Sequence, residues 1–474
     1  MRTAYSVETV RAAERELMAR LPEGALMQRA AAGLAVACAE LLGRVYGSRV
    51  VLLVGSGDNG GDALYAGARL ARRGAGVVAV LLSPDRAHQG GLGALRAAGG
   101  RVSDDASRDI ARADLVVDGI VGIGGRGGLR PEAARLARAA WESAPVVAVD
   151  LPSGVDADSG EVRGEAVRAD ATVTFGAYKP GLLIDPARER AGALRLVDIG
   201  LTLPGDAGME ALQHADVAEL LPRPVPESDK YRRGVVGVVA GSARYPGAAV
   251  LAVAGALRGG AGAVRYVGPA ADAVLARFPE TLVHTGPPDK AGRVQAWVIG
   301  PGIGEESDAL EDVLASEVPV LVDADGLRFL TPRRIAERTA ATLLTPHAGE
   351  AAALLGCGRE DVEAARLTSV RELAARYGAT VLLKGSTTLI AEADGPVRVN
   401  PTGTSWLATA GSGDVLSGVT GSLLAAGLTA RDAGSAGAYL HGLAARRAAG
   451  PAGAPILASE VAGHLADAWR EVTD

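Results

Sequence analysis

The segment Gly411-Ser412-Gly413-Asp414 combines small residues with one carboxylate, directly before the apolar helix-forming run Val415–Val419. Small residues let the backbone approach a ligand closely, and the N–H groups at the start of a helix attract an anion. Asp414 would lie in the same turn, where a carboxylate can accept or orient a hydroxyl proton. This combination predicts phosphoryl transfer to an alcohol. The alternative is a serine helix cap followed by an acidic first turn, which many helices have.

Composition limits the kind of protein that this chain can be. A chain of 474 residues, 48% of them hydrophobic, is long enough for two or three domains with sizeable cores. The formal net charge of −6 argues against nucleic acid as a main partner. We find no signal peptide and no segment that resembles a membrane-spanning helix, and Cys38 and Cys357 lack metal-site spacing. We therefore expect a cytoplasmic protein without a membrane partner.

Two series of apolar runs alternate with helix-period stretches, which indicates two parallel α/β sheets in succession. A proline-rich and then charged segment, 203–234, separates the series and predicts a division into residues 1–212 and 213–474. An opening helical stretch is expected over 7–42. The predicted strands of the first series are Val50–Val54, Val77–Leu82, Leu115–Val117, Val146–Val149, Ala171–Phe175 and Leu194–Val197. Those of the second are Val235–Ala240, Val264–Val267, Ala296–Ile299, Val320–Val322, Thr342–Leu344, Val381–Leu383 and Leu389–Ala391.

In the first half, a glycine-rich turn that carries Asp58, Asn59 and Asp62 joins a strand to a helix expected from about Asp62. Its spacing differs from G-x-G-x-x-G, and its oxygen-bearing side chains suit a hard cation or a ribose as well as a phosphate. The alternative is a structural turn rich in residues with positive φ.

Two further strands of this half end in polar residues. Asp118 opens a glycine-rich loop after one strand, and Asp150 and Ser153 follow the next. Because ligands bind at the carboxyl edge of open α/β sheets, we expect these side chains to meet Asn59 there. Such a set could hold a monovalent cation, while Asp150 acts as general acid or base. The alternative for Asp150 is a helix or turn cap.

These motifs, together with Asp150–Gly160 and Thr174–Gly181, resemble the NAD(P)H-hydrate epimerase family, which interconverts the R and S hydrates of NADH and NADPH. The resemblance implies a Rossmann-like three-layer sandwich and a bound potassium ion held by Asn59, Asp118 and Ser153. Asp58 and Ala63 depart from the usual Asn and Gly of the family. The residues that the resemblance assigns to the hydrated nucleotide are Asp58, Asn59, Gly60, Gly61, Asp62, Gly122, Ile123, Gly124, Gly125, Arg126, Gly127, Gly128 and Asp150.

In the second half, five more strand ends carry glycine, hydroxyl or charged residues: 241–248, 300–304, 323–327, 345–350 and 384–388. Only four of the 49 basic residues are lysines, and both Lys179 and Lys384 lie in glycine-flanked segments beside apolar runs. Lys384 and the hydroxyls after it supply donors for nucleotide phosphates, although the order is not that of a P-loop. His347 is either a functional group near this edge or a cap for the helix that begins near Glu350.

This half resembles the ADP-dependent NAD(P)H-hydrate dehydratases of the ribokinase-like superfamily, from Tyr231–Gly234 through Asp414. The resemblance implies a ribokinase-like α/β domain that uses ADP with Mg²⁺, although the residues alone do not separate ADP from ATP. Ala410 departs from the usual glycine. The implied nucleotide contacts are Lys384, Gly385, Ser386, Thr387, Thr388 and Gly413, and the implied contacts to the hydrate are Ala248, Gly304, His347 and Asp414.

Together the two resemblances predict an enzyme that repairs hydrated NADH (NADHX) and hydrated NADPH (NADPHX). It would epimerise the R and S hydrates and dehydrate the S form at the expense of ADP, giving AMP and phosphate. Asp150 and Asp414 are the expected catalytic residues, and a homo-oligomer is expected. The alternative is a ribokinase-like small-molecule kinase fused to a nucleotide-binding sensor module.

Overall fold

The chain folds into two compact units in a computed structural model that describes residues 1–305 and 308–474. The N-terminal unit is Thr3–Gly208, and the C-terminal unit is Met209–Asp474 together with Met1–Arg2. The division lies slightly before the predicted boundary at 212/213, because Met209–Ala211 is a strand of the C-terminal unit's sheet.

Strands and helices are numbered in chain order. Up to residue 208 the strands are β1 (Arg2–Ala4), β2 (Arg49–Val54), β3 (Gly76–Leu81), β4 (Arg101–Val102), β5 (Leu115–Gly119), β6 (Val146–Val149), β7 (Ala171–Phe175) and β8 (Ala193–Val197). The helices of the same stretch are α1 (Val7–Met18), α2 (Ala25–Leu42), α3 (Asp58–Arg72), α4 (Gln89–Ala97), α5 (Ala106–Ile110), α6 (Pro131–Ser143) and α7 (Arg188–Ala191).

The N-terminal unit contains a parallel sheet with helices on both faces. Its strand order is β4-β3-β2-β5-β6-β7-β8. Strands β2 and β5 are parallel neighbours, and successive strands of the chain are added on one side of this pair up to β4 and on the other side from β5 onward. Strand side chains alternate between faces, so Val50 and Leu52 of β2 pack with α2 and α3, whereas Val51 and Leu53 pack with α6. Two cores on one sheet form the expected three-layer sandwich, with the ends of β2, β5 and β6 adjacent.

Helix α3 begins at Asp58, with Gly57 as its N-cap, whereas the sequence predicted a start near Asp62. Glycine residues disfavour a helix, but at Gly60 a contact with another part of the chain favours glycine within the helix. A Cβ on Gly60 would lie 2.5 Å from the Gly55 carbonyl oxygen, so only glycine fits this close approach. As a result, the polar residues of the predicted loop lie on the first turns of a helix.

The opening helical stretch is two helices rather than one, since Gly24 takes a left-handed conformation (φ 74°) between α1 and α2. Helix α2 is long and apolar enough to cross a membrane by length and composition, with a mean hydropathy of 1.4. The prediction that no segment resembles such a helix is therefore wrong on these two criteria. In the structure its residues Leu34 and Cys38 are buried in the core that also contains α3, as in a helix that covers a sheet.

From residue 209 onward the strands are β9 (Met209–Ala211), β10 (Val235–Val239), β11 (Ala263–Val267), β12 (Leu282–His284), β13 (Ala296–Ile299), β14 (Val320–Val322), β15 (Thr342–Leu344), β16 (Thr380–Leu383), β17 (Thr388–Ala391) and β18 (Val397–Asn400). The helices are α8 (His214–Leu220), α9 (Pro246–Arg258), α10 (Ala271–Arg277), α11 (Asp308–Ala315), α12 (Pro332–Ala336), α13 (Ala348–Leu355), α14 (Arg359–Ala364), α15 (Arg366–Tyr377), α16 (Ser412–Ala425), α17 (Ala430–Ala449), α18 (Ala458–Gly463) and α19 (Leu465–Thr473).

The C-terminal unit is built on one sheet with the order β1-β9-β18-β17-β16-β15-β14-β13-β10-β11-β12. The pairs from β12 to β16 are parallel, and β17 is antiparallel to both of its neighbours. All seven predicted strands of this half are present. The short strands β9, β12 and β18 were not predicted, because a glutamate, a histidine or an arginine interrupts the apolar run of each.

Helices α9 and α16 meet through glycines. A Cβ on Gly418 would collide with the carbonyl oxygen of Ala252, and a Cβ on Gly255 would collide with that of Val415. The two backbones therefore contact each other directly, and this contact fixes the position of the helix that begins next to Asp414.

We expect Gly418→Ala to lower the free energy of unfolding of the C-terminal unit by about 2–3 kcal/mol, since the added methyl must separate two packed backbones. Chemical denaturation followed by circular dichroism measures this change. Gly463→Ala is the matched control, because a Cβ there meets no atom within 4 Å. An equal loss of stability in both variants would contradict the role given to the glycine contact.

Candidate functional sites

At the carboxyl edge of the N-terminal sheet, Asp118 and Ser153 form one buried hydrogen-bonded group. The Ser153 hydroxyl donates to Asp118 Oδ1 at 2.7 Å, and the Ser153 backbone N–H donates to Oδ2 at 2.8 Å. Burial raises the pKa of Asp118 to about 6, although these hydrogen bonds favour its charged form.

Asn59 reaches the same edge from the first turn of α3. Its Nδ2 donates to the carbonyl oxygen of Val149 at 2.6 Å, and a Cβ on Gly122 would collide with its Oδ1. The Val121 backbone N–H donates to the Ser153 hydroxyl oxygen at 2.9 Å, which ties this loop to the Asp118 group. The amide oxygen of Asn59 thus lies beside the space that a side chain at 122 would fill, and the adjacent residue Val121 is bonded to the Ser153–Asp118 group. This donor set fits a hard cation such as K⁺.

Asp150 follows β6 in a strained left-handed conformation (φ 65°) and is 6% exposed. Lys179, which is 1% exposed, donates to Asp150 Oδ1 at 2.5 Å. Thr174 Oγ1 and the Phe175 backbone N–H also donate to this oxygen, at 3.0 and 3.2 Å. Strain held by this many partners is typical of a functional position. The cap alternative would require Asp150 to bond the first turn of a helix, whereas its partners are a lysine and strand β7.

Sequence reasoning did not assign Lys179 to the site, although the scarcity of lysine had drawn attention to it. It also missed Glu14 of α1. Burial raises the pKa of Glu14, Lys179 lowers it, and Asp150 and Asp58 raise it. Glu14 therefore lies within electrostatic range of the same group, which no local sequence motif signals.

The glycine-rich loop after β5 borders a separate cavity of about 390 Å³. Of the residues predicted for the hydrated nucleotide, the loop members that line it are Ile123, Gly124, Gly125, Arg126 and Gly127. Helix α1 contributes Val7 and Arg11 to the lining. Gly128 instead packs against the backbone of 163–165, so the predicted set is divided between the cavity, the Asn59 group and this contact.

In the C-terminal unit, Lys384 lies beside the first turn of α16. Its Nζ donates to Asp323 Oδ1 at 2.6 Å, and a Cβ on Gly413 would lie 3.4 Å from the same nitrogen. Ser417 Oγ of α16 donates to the other oxygen of Asp323 at 2.7 Å. Burial lowers the pKa of Lys384, but the negative charges of Asp323 and Glu350 together raise it by more, so the net shift is upward. The lysine is therefore held as a cation.

Burial, together with the negative charge of Asp323, raises the pKa of Asp414 to about 7. Gly411 is the N-cap of α16 in a left-handed conformation (φ 87°), and the Ser412 hydroxyl donates to the Leu407 carbonyl at 2.8 Å. The serine-cap alternative is thus wrong, since Ser412 does not cap the helix with its side chain. The arrangement places a proton acceptor with a pKa near neutrality beside a cation and a helix N-terminus.

Gly304 and Ala248, two of the residues predicted to contact the hydrate, each contact another residue of the same sheet edge. Gly304 N–H donates to Asp325 Oδ2 at 3.0 Å, and a Cβ on Gly302 would lie 2.7 Å from the Ala248 Cβ. His347 is more exposed, and its Nδ1 accepts from the N–H groups of residues 349 and 350, at 3.0 and 3.1 Å. The capping alternative for His347 is therefore present in the structure, and its contact with a ligand stays a prediction.

The loop 384–388 is held by Arg366, a buried residue of α15 that the sequence did not single out. Its guanidinium donates to the carbonyl oxygens of Lys384 and Thr387, at 3.1 and 3.0 Å. A Cβ on Gly385 would collide with the same group. Arg366 thus shapes the predicted nucleotide loop from behind.

Two family models match this chain, one in each unit. The model for the YjeF-related protein N-terminus matches residues 23–181, and the model for NAD(P)H-hydrate dehydratase matches residues 236–466. The bifunctional NAD(P)H-hydrate repair enzyme of Mycobacterium leprae is 51% identical over 98% of both chains. The chain belongs to the bifunctional NAD(P)H-hydrate repair enzyme family.

Other members of this family and a solved structure agree. The enzyme of the same name from Mycobacterium tuberculosis H37Rv is 52% identical over 91% of both chains. The ADP/ATP-dependent NAD(P)H-hydrate dehydratase of Bacillus subtilis, co-crystallised with ATP and Mg²⁺, is 29% identical, with a TM-score of 0.51. That match covers 55% of this chain and 97% of the other. The predicted α/β fold class and the family resemblance are confirmed.

We expect Lys179→Met to lower the free energy of unfolding of the N-terminal unit by about 3–5 kcal/mol, because it leaves Asp150 buried without a counter-charge. Denaturant unfolding at pH 7 measures this loss. The double variant Lys179→Met/Asp150→Asn should recover part of it, since no uncompensated charge remains. If the two substitutions destabilise additively, the pair is not energetically coupled as described.

Proposed function

We propose that this chain repairs hydrated NADH and NADPH, with epimerisation in residues 1–212 and dehydration in residues 213–474. The observation that carries the proposal is the group of Lys384, Asp323 and Asp414 at the N-terminus of α16. Family membership over nearly the whole chain favours repair over a kinase fused to a sensor module. The predicted contacts with NADHX, NADPHX and ADP belong to this proposal, as do cytoplasmic location and homo-oligomerisation.

The dehydratase step needs a better leaving group than hydroxide. Asp414 would accept the proton of the hydrate's hydroxyl as a phosphoryl group arrives from ADP, and Lys384 would offset the charge of the phosphates. The N–H groups after Gly411 would stabilise the charge that develops during transfer. The ring nitrogen's lone pair would then expel phosphate and form a C=N⁺ bond, and loss of a proton from the adjacent ring carbon to solvent would restore the ring double bond of NAD(P)H.

Mg²⁺ would neutralise charge on the nucleotide phosphates. Among the described residues, no three Asp, Glu, His or Cys side chains converge as a metal site. We infer that the phosphates themselves, rather than a protein cage, supply most of the ligands, which is common for Mg²⁺. The structure of the Bacillus subtilis relative co-crystallised with ATP and Mg²⁺ supports the nucleotide–metal pair.

In the epimerase half, K⁺ would bind the oxygens around Asn59, Asp118 and Ser153 and so fix the loop that carries Gly122. Asp150 would act as the base, and Lys179, which donates to its Oδ1, would hold the carboxyl group in position.

We test the proposal with mixed R and S hydrates, K⁺, Mg²⁺ and either ADP or ATP, following recovery of the reduced nucleotide by absorbance. Asp414→Asn should lower kcat for dehydration at least ~100-fold because it removes the proton acceptor, while nucleotide affinity by calorimetry is retained. Asp150→Asn should abolish R-to-S conversion and leave dehydration of the S hydrate intact. Each variant is thus the other's control. Undiminished turnover would refute the role of the substituted residue, and a stable phosphoester product would favour a kinase.

Dehydration should depend on pH through Asp414. A base with a pKa of about 7 is protonated at lower pH, so kcat/KM should fall about tenfold per unit below pH 7. The measurement is an initial-rate profile from pH 5.5 to 9 with saturating Mg²⁺ and ADP. The residual activity of Asp414→Asn should lack this acidic limb. A limb of unchanged position in that variant would assign the titration to another group.

A further inference from the structure

Helix α3 brings a second buried carboxyl to the site of Asp150. Asp58 and Asp62 are four residues apart, on one face of the helix. Asp62 is 7% exposed, and its Oδ1 is buried without a hydrogen-bond partner. A buried carboxylate without a donor is costly, whereas a protonated carboxyl can occupy such a place and still donate to a ligand.

The groups around Asp62 are mostly acidic. Burial raises its pKa well above the usual range, and the charges of Asp150, Asp58 and Glu14 raise it further. From α1, the charge of Arg11 lowers the pKa of Glu14. At the start of α4, the ring of His88 would lie 3.1 Å from a Cβ on Gly61. Lys179, the buried cation of this group, donates to Asp150.

Lys179 therefore gives the two acids different surroundings, because it bonds Asp150 and leaves Asp62 Oδ1 without a partner. Asp150 accepts three hydrogen bonds on one oxygen. Asp62 has no such donor and faces negative charge. Two neighbouring carboxyl groups in such different environments can serve one as the acid and the other as the base.

We propose that Asp62 is the general acid of the epimerisation, acting with Asp150 as the general base; this inference rests on the proposed epimerase function. Asp62 was expected from the family resemblance only as a contact to the nucleotide. Its burial, its unpartnered oxygen and its place beside the Asp150–Lys179 pair assign it a role in the chemistry.

The step balances as an exchange of water at the hydroxyl-bearing carbon of the hydrated ring. Asp62 gives its proton to the hydroxyl oxygen, the C–O bond breaks, and water leaves as the ring nitrogen's lone pair forms a C=N⁺ bond. Water then adds to the opposite face of that carbon, the C=N⁺ electrons return to nitrogen, and Asp150 takes the proton. Transfer of a proton from Asp150 to Asp62 through solvent restores the starting form. No oxidant or reductant is required.

The test compares Asp62→Asn with the wild-type full-length protein. We expect kcat for epimerisation to fall 100-fold or more while KM changes less than about threefold, since asparagine keeps the shape and polarity but has no acidic proton. The wild-type rate should fall on the alkaline side as Asp62 loses its proton, and the residual activity of Asp62→Asn should lack that limb. A raised KM with unchanged kcat, or an unchanged pH profile, would make Asp62 a binding residue and overturn the proposal.

The matched control is Asp109→Asn. Asp109 is also a buried aspartate of the N-terminal unit, but it is paired with Arg101 and Ser103, each at 2.7 Å. This variant should be less stable and yet epimerise at the wild-type rate. At pH 8, Asp62→Asn should be at least as stable as wild type, because a carboxyl with a raised folded-state pKa loses stability as pH rises above its unfolded value.

A second measurement needs no variant. Epimerisation by the wild-type protein in ¹⁸O-water should place one solvent oxygen in the hydrate per inversion, detected by mass spectrometry after correction for the uncatalysed reaction. Inversion without ¹⁸O uptake would overturn the proposal, because the C–O bond would not have broken. If the wild-type protein does not epimerise at all, the proposed function fails; if it does and Asp62→Asn is equally fast, only this inference fails.

Discussion

A lysine paired with a buried aspartate is the interaction on which each site depends. Lys179 pairs with Asp150 in one unit, and Lys384 pairs with Asp323 in the other. A buried charge is tolerated only with a close counter-charge and further hydrogen bonds, and both pairs have them from threonine or serine neighbours. Near each pair, burial raises the pKa of another acid, Asp62 or Asp414, and the negative charge of the paired aspartate raises it further. The same electrostatic arrangement thus produces a group poised for proton transfer in two unrelated settings.

The fold was largely predictable because buried parallel strands are near-continuous apolar runs bounded by glycine. Every strand of four or more apolar residues in the sequence was recognised. What local pattern could not show was where a short strand such as β9 pairs, because its partner β18 lies far away in the chain. The early start of α3 was missed for a related reason. Helix propensity argues against its glycines, and only packing against Gly55 in the folded unit reverses that preference.

The candidate sites were predictable where a polar residue directly follows a strand, since all such ends of a parallel sheet meet at one edge. This rule correctly brought Asp118 together with Ser153, and Lys384 to the turn at Gly413. It could not find residues that reach a site from a helix, such as Arg366 of α15 and Glu14 of α1, because they belong to no recognisable sequence motif. It also could not decide between cap and ligand contact for His347, because both readings place the residue at the same strand end.

The glycine contact between α9 and α16 has a consequence for catalysis. Ala248 lies in the first turn of α9 and Asp414 in the first turn of α16, and the two backbones touch at Gly255 and Gly418. Helices locked this closely cannot slide past one another, so the dipoles at their ends keep a fixed spacing and direction. Solvent must reorient around each new charge, whereas dipoles fixed by folding are already aligned when charge appears. The free-energy cost of aligning these dipoles thus arises during folding and does not add to the barrier of each turnover.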